Sequence, residues 1–494
     1  MNNQELLKQA LQSRFAAHHE WLSIRASGRS FAFRPGELEI EFIHDKLLIG
    51  FPDDAGFQTW RVVGFQEKNE EIRLELVRNF ERERERIRFV PRRPANELGE
   101  AVELARAARA DRLAALVVES LPGAKLVRVR LSRENGRSAQ ILFEDRRGRQ
   151  TAALGDVSDS LRPETLLSTA VLWLKKLEKR RRHPVDTLWL TAAGKQASKL
   201  QRLHALLDDE WRRRIVVKEI GPDTETQSGD RLKDLPALEP ADLWRAKTRP
   251  AQLHEPAALG ELAQNIVALA PDAIDVVFSR GGATLRFNGL AFARARRVFG
   301  RERIWFGTEK EKQILTPDNA EELAELIDNL RAFRRHGAPN RRHAFYRDAP
   351  EAWLESMLRR NIKKLDANLV LAPLYHQFRA EREKIDLLAL RRDGRLVIVE
   401  LKAAPDRDAP FQIADYWQRI ERQRRAGHLQ SARLFGELAI ADAPAVCYLV
   451  APALSVHRDF ALLAGTLAAG IEIHRFHLAE NWRAGVKVLE RVGR

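Results

Sequence analysis

A single cysteine, Cys447, is the only thiol in the 494 residues, which excludes an intramolecular disulfide and a cysteine-built zinc site. A reducing, cytoplasmic setting is expected. No apolar run reaches the roughly 18 residues needed to span a bilayer; the longest candidate, Phe460 to Ile473, has the length of a core helix. The opening MNNQELLKQALQSRFAAHHEW reads as an amphipathic helix rather than an export signal, so no membrane partner is expected. Familiar catalytic signatures are missing too. Gly194-Lys195 follows an apolar stretch, but Trp189 stands where a phosphate-binding loop needs its first glycine and Gln196 where it needs Ser or Thr. His18-His19-Glu20 and the scattered histidines lack HExxH-type spacing. There is no Gly-x-Ser-x-Gly elbow, no dinucleotide fingerprint and no fixed-period repeat.

What is present suffices for several ordinary cores. Hydrophobic residues make up 44% and charged residues 31%, and the length corresponds to about three domains. Lys plus Arg number 84 against 69 Asp plus Glu, a net charge of +15. Such an excess suits a polyanionic partner, although it is spread along the whole chain and an Ala- and Arg-rich composition can carry it alone.

The pattern of elements predicts an α/β multidomain protein. Residues 1–95 read as an N-terminal helix plus a β-rich domain, because stretches such as Glu37 to Phe42 and Ile72 to Leu76 alternate apolar and polar positions. The run from Glu81 to Arg86 alternates acid and base and reads as a solvated, self-neutralising face. Residues 96–220 predict a middle α/β domain: a helix, a hairpin across the Asn135-Gly136 turn, a further strand, then helix, strand, helix, strand. Residues 221–258, with several prolines and little periodicity, read as a linker. Residues 259–345 predict an α+β domain ending in a basic tail, and residues 346–494 a second α/β domain.

Chemistry concentrates in the last of these. Ile385 to Leu390 and Leu396 to Lys402 are two apolar strands flanking Arg391 to Arg395. Period-2 geometry sets Ile398, Glu400 and Lys402 on one face, with Val397, Val399 and Leu401 on the other. A two-residue loop would put Asp386 opposite Leu401. A three-residue loop, Arg392-Asp393-Gly394, with glycine in the left-handed region at a G1 bulge, puts Asp386 opposite Glu400. We predict the latter. Two carboxylates this close repel unless a cation lies between them, and hard oxygen ligands select Mg²⁺, with Mn²⁺ as a substitute. Lys402 beside them can orient water or stabilise phosphoryl charge, which suits phosphodiester hydrolysis. A charged edge hairpin with a surface ion pair is the plain alternative.

With Asp386 on one strand and Glu400-Leu401-Lys402 on the next, the sequence resembles the PD-(D/E)XK nuclease superfamily, Ile385 replacing the proline of the family name. The resemblance covers 348–494 and implies a restriction-endonuclease-like αβββαβ core. It implies that Asp386 and Glu400 are metal ligands and Lys402 the catalytic lysine, with Glu355 as the helix glutamate completing the site and Glu351 as its alternative. Gln412 and Tyr416 resemble the Gln-x-x-x-Tyr motif of the RecB-like and Holliday-junction resolvase-like subgroup. For the middle domain, a degenerate nuclease-like fold and an unrelated α/β fold both stay open, since its hairpin carries no Asp plus Glu-x-Lys set. The segment with Arg334, Arg335, Arg341, Arg342, Phe345 and Tyr346 is read as a nucleic-acid clamp, arginines on phosphates and rings on bases. The arginines between Arg419 and Arg425 form a second candidate patch.

The expected function is therefore a Mg²⁺-dependent nuclease, an endonuclease acting on DNA in preference to RNA. The alternative is a nucleic-acid-binding protein of nuclease-like fold that does not cut. A homodimer is compatible with either.

Overall fold

The computed structural model describes residues 3–53, 56–68, 70–79, 81–92, 95–180, 182–222, 230–245, 258–279, 282–298, 301–307, 312–372 and 385–493. It is α/β, with four β-sheets and twelve α-helices among the described residues. No helix among them is long and apolar enough to cross a membrane. The chain divides into two compact units, residues 1–204 with 210–237 and residues 205–209 with 238–494.

The first unit opens with helix Asn3–Ala16 and a seven-stranded antiparallel sheet over 21–91. Phe15, Phe33, Phe51 and Phe89 fill its core with mostly edge-to-face ring contacts. The acid-base run lies on strand Glu83–Pro91. Its charges pair across strands rather than within the run: Glu85 with Arg25 and Arg86 with Glu75. Such exposed pairs add at most about 1 kcal/mol each.

The same unit continues with helix Ala95–Glu119 and a six-stranded mixed sheet. Strands Lys125–Leu131, Ser138–Glu144 and Gln150–Asp156 are antiparallel. Leu188–Ala193 and Ile215–Pro222 follow in parallel, and Asp230–Asp234 closes the edge antiparallel. The expected linker is thus partly structured. Asp230–Asp234 extends the sheet with Leu232 buried, and in the second unit the 3-10 turn Pro240–Trp244 buries Leu243 and sets Trp244 edge-on to Trp417. Two isolated apolar residues in a polar stretch carry no periodicity, which is why the sequence reads as a linker there.

In the second unit, strands Ile274–Ser279, Gly282–Phe287, Leu290–Val298, Arg301–Gly307 and Lys312–Ile314 form an antiparallel meander with helices Glu261–Leu269 and Ala320–Phe333 packed into its core. Helix Pro350–Arg360 follows and leads into a second six-stranded mixed sheet. Leu369–Leu371, Leu387–Arg391 and Leu396–Leu401 are antiparallel, Val446–Pro452 and Glu472–Leu478 continue in parallel, and Val488–Gly493 returns antiparallel. Helix Ala409–Arg425 lies between the third and fourth strands and Phe460–Ala464 between the fourth and fifth. The middle sheet repeats this order, these pairing senses and these helix positions. The strand expected at 374–380 lies outside the described residues.

Strand Leu396–Leu401 is interior to its sheet and wholly buried, so the edge-hairpin alternative does not apply. Leu387, Ala389, Val397, Val399 and Leu401 pack under Trp353, Leu354 and Leu358 of helix Pro350–Arg360. Burial of each large side chain contributes on the order of 2 kcal/mol. The hairpin pairs Leu387 with Val399 and Leu390 with Leu396. That is the register of the three-residue loop, and Gly394 has φ +82°. A Cβ on Gly394 would meet the Ala439 carbonyl oxygen and the Ala441 nitrogen, each at 3.1 Å. We expect Gly394→Ala to lower stability by about 1–2 kcal/mol, read as a urea midpoint shift, with Gly394→Asn losing less; equal midpoints for Gly394→Ala and wild type would refute the turn.

Candidate active site

Continuing the hairpin register one step places Asp386 opposite Glu400. Asp386 Oδ2 accepts the Leu401 N–H at 2.9 Å, which fixes the carboxylate at the end of the strand. Lys402, two residues past Glu400, emerges on the same face. Its Nζ lies 3.0 Å from Glu400 Oε1 and 2.9 Å from Asp406 Oδ2, and it donates to Gln412 Oε1 at 2.8 Å. Gln412 Nε2 in turn donates to Asp406 at 3.2 Å. Asp386, Glu400, Lys402 and Gln412, picked from sequence, are therefore brought together. Tyr416 sits one helical turn beyond, with the Arg419 guanidinium 5.9 Å from its ring centre.

The electrostatics are those of two acids confined in one place. Glu400 is 4% exposed, and burial followed by the Asp386 charge pushes its pKa up to about 8, against the smaller opposing pull of Lys402. Burial works against the Lys402 ammonium, but Glu400 and Asp406 outweigh it and hold its pKa above the ordinary lysine value. Glu400 Oε2 is buried without a hydrogen-bond partner, a costly arrangement for a carboxylate. A cation at that oxygen would relieve both this and the Asp386 repulsion. Among the described residues no cluster of three or more His, Cys, Asp or Glu is arranged as a metal cage. Two carboxylates do fit Mg²⁺, which keeps several waters and takes its remaining ligands from phosphate.

Glu355 is placed elsewhere. Trp353, Leu354 and Leu358 occupy the apolar side of the sheet, which turns Glu355 toward Arg359 at 2.7 Å and Arg286 at 3.4 Å, 1% exposed. Arg359 also donates to the Asp386 carbonyl at 3.3 Å, so Glu355 reaches the site through another side chain. It is Glu351, one turn earlier, whose charge acts on Glu400; its Oε1 accepts the Ala403 N–H at 3.4 Å. Asp406 and Arg359 were missed from sequence. Their signal was spacing alone: an acid four residues past Lys402, and a base at i+4 from Glu355.

Half of the expected clamp is structural. Arg334 is fully buried, its guanidinium donating to the carbonyls of Asn288, Phe345, Asp348 and Ala349. Burial and the nearby Arg483 push its pKa down to about 10. Phe345 packs on the five-stranded sheet's core, and Tyr346 packs against Trp353 at 5.7 Å beneath Arg483. These three are corrected from nucleic-acid contacts to core joints. Arg335, Arg341 and Arg342 are exposed. In the second patch, Arg419 pairs with Asp415 and Arg424 with Glu421 and Asp442, while Arg425 lies over Trp244.

Among the described residues, the third strand of the middle sheet does not repeat the arrangement of Glu400 and Lys402. Ala153 and Val157 face its first helix, so Asp156 falls on the side that carries Glu400 in the other sheet. Its carboxylate instead closes the next turn, accepting the Ser158 and Leu161 N–H groups at 2.7 and 3.0 Å, and no lysine follows within two residues.

Two outcomes follow from these contacts. An acid with folded-state pKa near 8 and ordinary value 4.5 keeps its proton in the native chain after the unfolded chain has lost it. The metal-free protein should therefore lose stability as pH rises through that window. Urea midpoints at about pH 5 and pH 8 in EDTA should differ less for Glu400→Gln than for wild type. Separately, Glu355→Ala should cost about 1–3 kcal/mol, since it removes the buried acid that Arg359 and Arg286 share while Arg286 keeps Asp275, whereas Glu351→Gln should leave the thermal midpoint within about 1 °C. Equal midpoints for the two variants would contradict the pairing.

No family model matches the chain, and no curated protein does. Among solved structures, the one described as "Structure of EndoMS in apo form" is similar at 14% identity with a TM-score of 0.14, over 39% of this chain and 85% of that one. A likeness of that size establishes neither fold nor function.

Proposed function

We propose that the C-terminal sheet carries a divalent-metal-dependent nuclease site that hydrolyses phosphodiester bonds. The observation that carries this reading is the buried strand end where Asp386, Glu400 and Lys402 converge with one Glu400 oxygen unpartnered. The helix, three antiparallel strands, helix, parallel strand order around it also supports a nuclease-like fold.

Asp386 and Glu400 would hold the cation, preferably Mg²⁺. When bound, it supplies Lewis-acid polarisation of the phosphoryl group. Asp386 is kept in place by the Leu401 N–H, which holds its carboxylate at the strand end. Lys402 stays an ammonium, which suits it to stabilise negative charge growing on the phosphate rather than to remove a proton from water. Gln412, Asp406 and Glu400 take its three donors and limit its swing, so it stands as a fixed positive charge beside Glu400. DNA is the favoured substrate on the resemblance to DNA enzymes and on no contact in the chain.

The test is cleavage of labelled single-stranded, duplex, branched and mismatched DNA, plus RNA, with Mg²⁺ or Mn²⁺. We expect wild type to cut at least one DNA. Lys402→Ala and Asp386→Ala should each slow cutting at least about 10²-fold, and EDTA should stop it. Binding without cutting, or cutting that survives both substitutions, would overturn the site.

A further inference from the structure

Many arginines of this protein sit against acids, from Arg25 and Arg86 in the first sheet to Arg286 and Arg424 in the second unit. A cluster of four in the middle sheet does not. On the outer edge of the middle sheet, strand Lys125–Leu131 carries Arg128 and Arg130, Arg133 follows in the adjoining loop, and Arg180 stands just past helix Pro163–Glu178. Arg128 and Arg133 are exposed and Arg130 is half-buried. Arg130 Nε donates to Gln140 Oε1 at 2.9 Å and Arg180 to Gln150 Oε1 at 3.5 Å. Both partners are neutral, and among the described residues no acid pairs with any of the four. Burial, then Arg128, Arg133 and Arg180, disfavour the charged form of Arg130. The cluster is thus held together against its own repulsion.

Edge strands often carry charge to avoid joining another chain. That purpose needs no cluster and gives no reason to half-bury one cation among three others. A polyanion does. Side chains at i and i+2 on a strand are on the order of 7 Å apart, the scale on which phosphates follow one another along one nucleic-acid strand. The sheet that bears them has the strand order and pairing of the catalytic one but no acid-and-lysine set.

We infer that the middle domain is a non-cutting nucleic-acid-binding module whose edge arginines Arg128, Arg130, Arg133 and Arg180 grip the phosphodiester backbone without reading sequence. This rests on the reading of the chain as a nuclease and adds where it holds its substrate.

The test uses full-length protein without divalent metal, a labelled 30-base-pair duplex, and fluorescence anisotropy across a KCl series. Arg128→Glu combined with Arg133→Glu should weaken binding at about 100 mM salt by at least about tenfold. It should also flatten the log-affinity against log-salt slope by about two, with an unchanged thermal midpoint because both positions are exposed. Arg128→Lys with Arg133→Lys should stay within about threefold of wild type. The reversal Arg86→Glu, at an exposed arginine of the first sheet outside the cluster, should have little effect. If wild type binds and the double reversal binds as well, or loses no more than Arg86→Glu, the inference is wrong while the nuclease reading stands. If wild type neither binds nor cuts any nucleic acid in the panel above, the nuclease reading itself has failed.

Discussion

Two carboxylates forced together at the end of a buried strand set the terms for everything around them. Water cannot solvate Glu400, and Asp386 adds its charge to the same small volume, so protons or cations must compensate. Lys402 answers part of this demand and is itself held by Asp406 and Gln412. The apolar side of the same strand, packed under Trp353 and Leu358, keeps solvent from relaxing the strain from behind. A site arranged this way is unfavourable in isolation, and such sites persist where chemistry uses them.

The five-stranded sheet contributes to this site by contact rather than by chemistry. Arg286 ties Asp275 and Glu355 together, Arg359 carries the chain on to the Asp386 carbonyl, and Arg334 gathers four carbonyls where the sheet's last helix meets helix Pro350–Arg360. Gly289, with φ +83°, lets its turn approach the Ala352 carbonyl so closely that a Cβ would sit 2.0 Å from it. Helix Pro350–Arg360, which packs over strand Leu396–Leu401, is thus held closely against the five-stranded sheet.

Much of this was readable from the residues. Alternation along Leu396 to Lys402, the single glycine in the turn and the parity of Asp386 gave the register and the face of each site residue, because strand geometry is local. What escaped was decided by partners distant in sequence. An arginine-rich stretch before a helix looks solvated until the carbonyls that need donors are in view, which is how Arg334 misled. Phe345 and Tyr346 look available for stacking until the five-stranded sheet's core claims the one and Trp353 the other. Glu355 and Glu351 lie one turn apart, and only packing decides which of them meets the site. The partial order in the expected linker rests on Leu232 and Leu243, too sparse to show a period.

The parallel pairing beside Glu400 has a bearing on how the site comes into being. The hairpin that brings Asp386 to Glu400 closes over a few residues and can form within microseconds. The clamp on Lys402 depends on Gln412, at the start of the helical crossover that must fold back before strand Val446–Pro452 can dock. A chain emerging from synthesis would therefore own its pair of acids well before its ammonium is fixed beside them, and the three groups would meet only once the long crossover had closed.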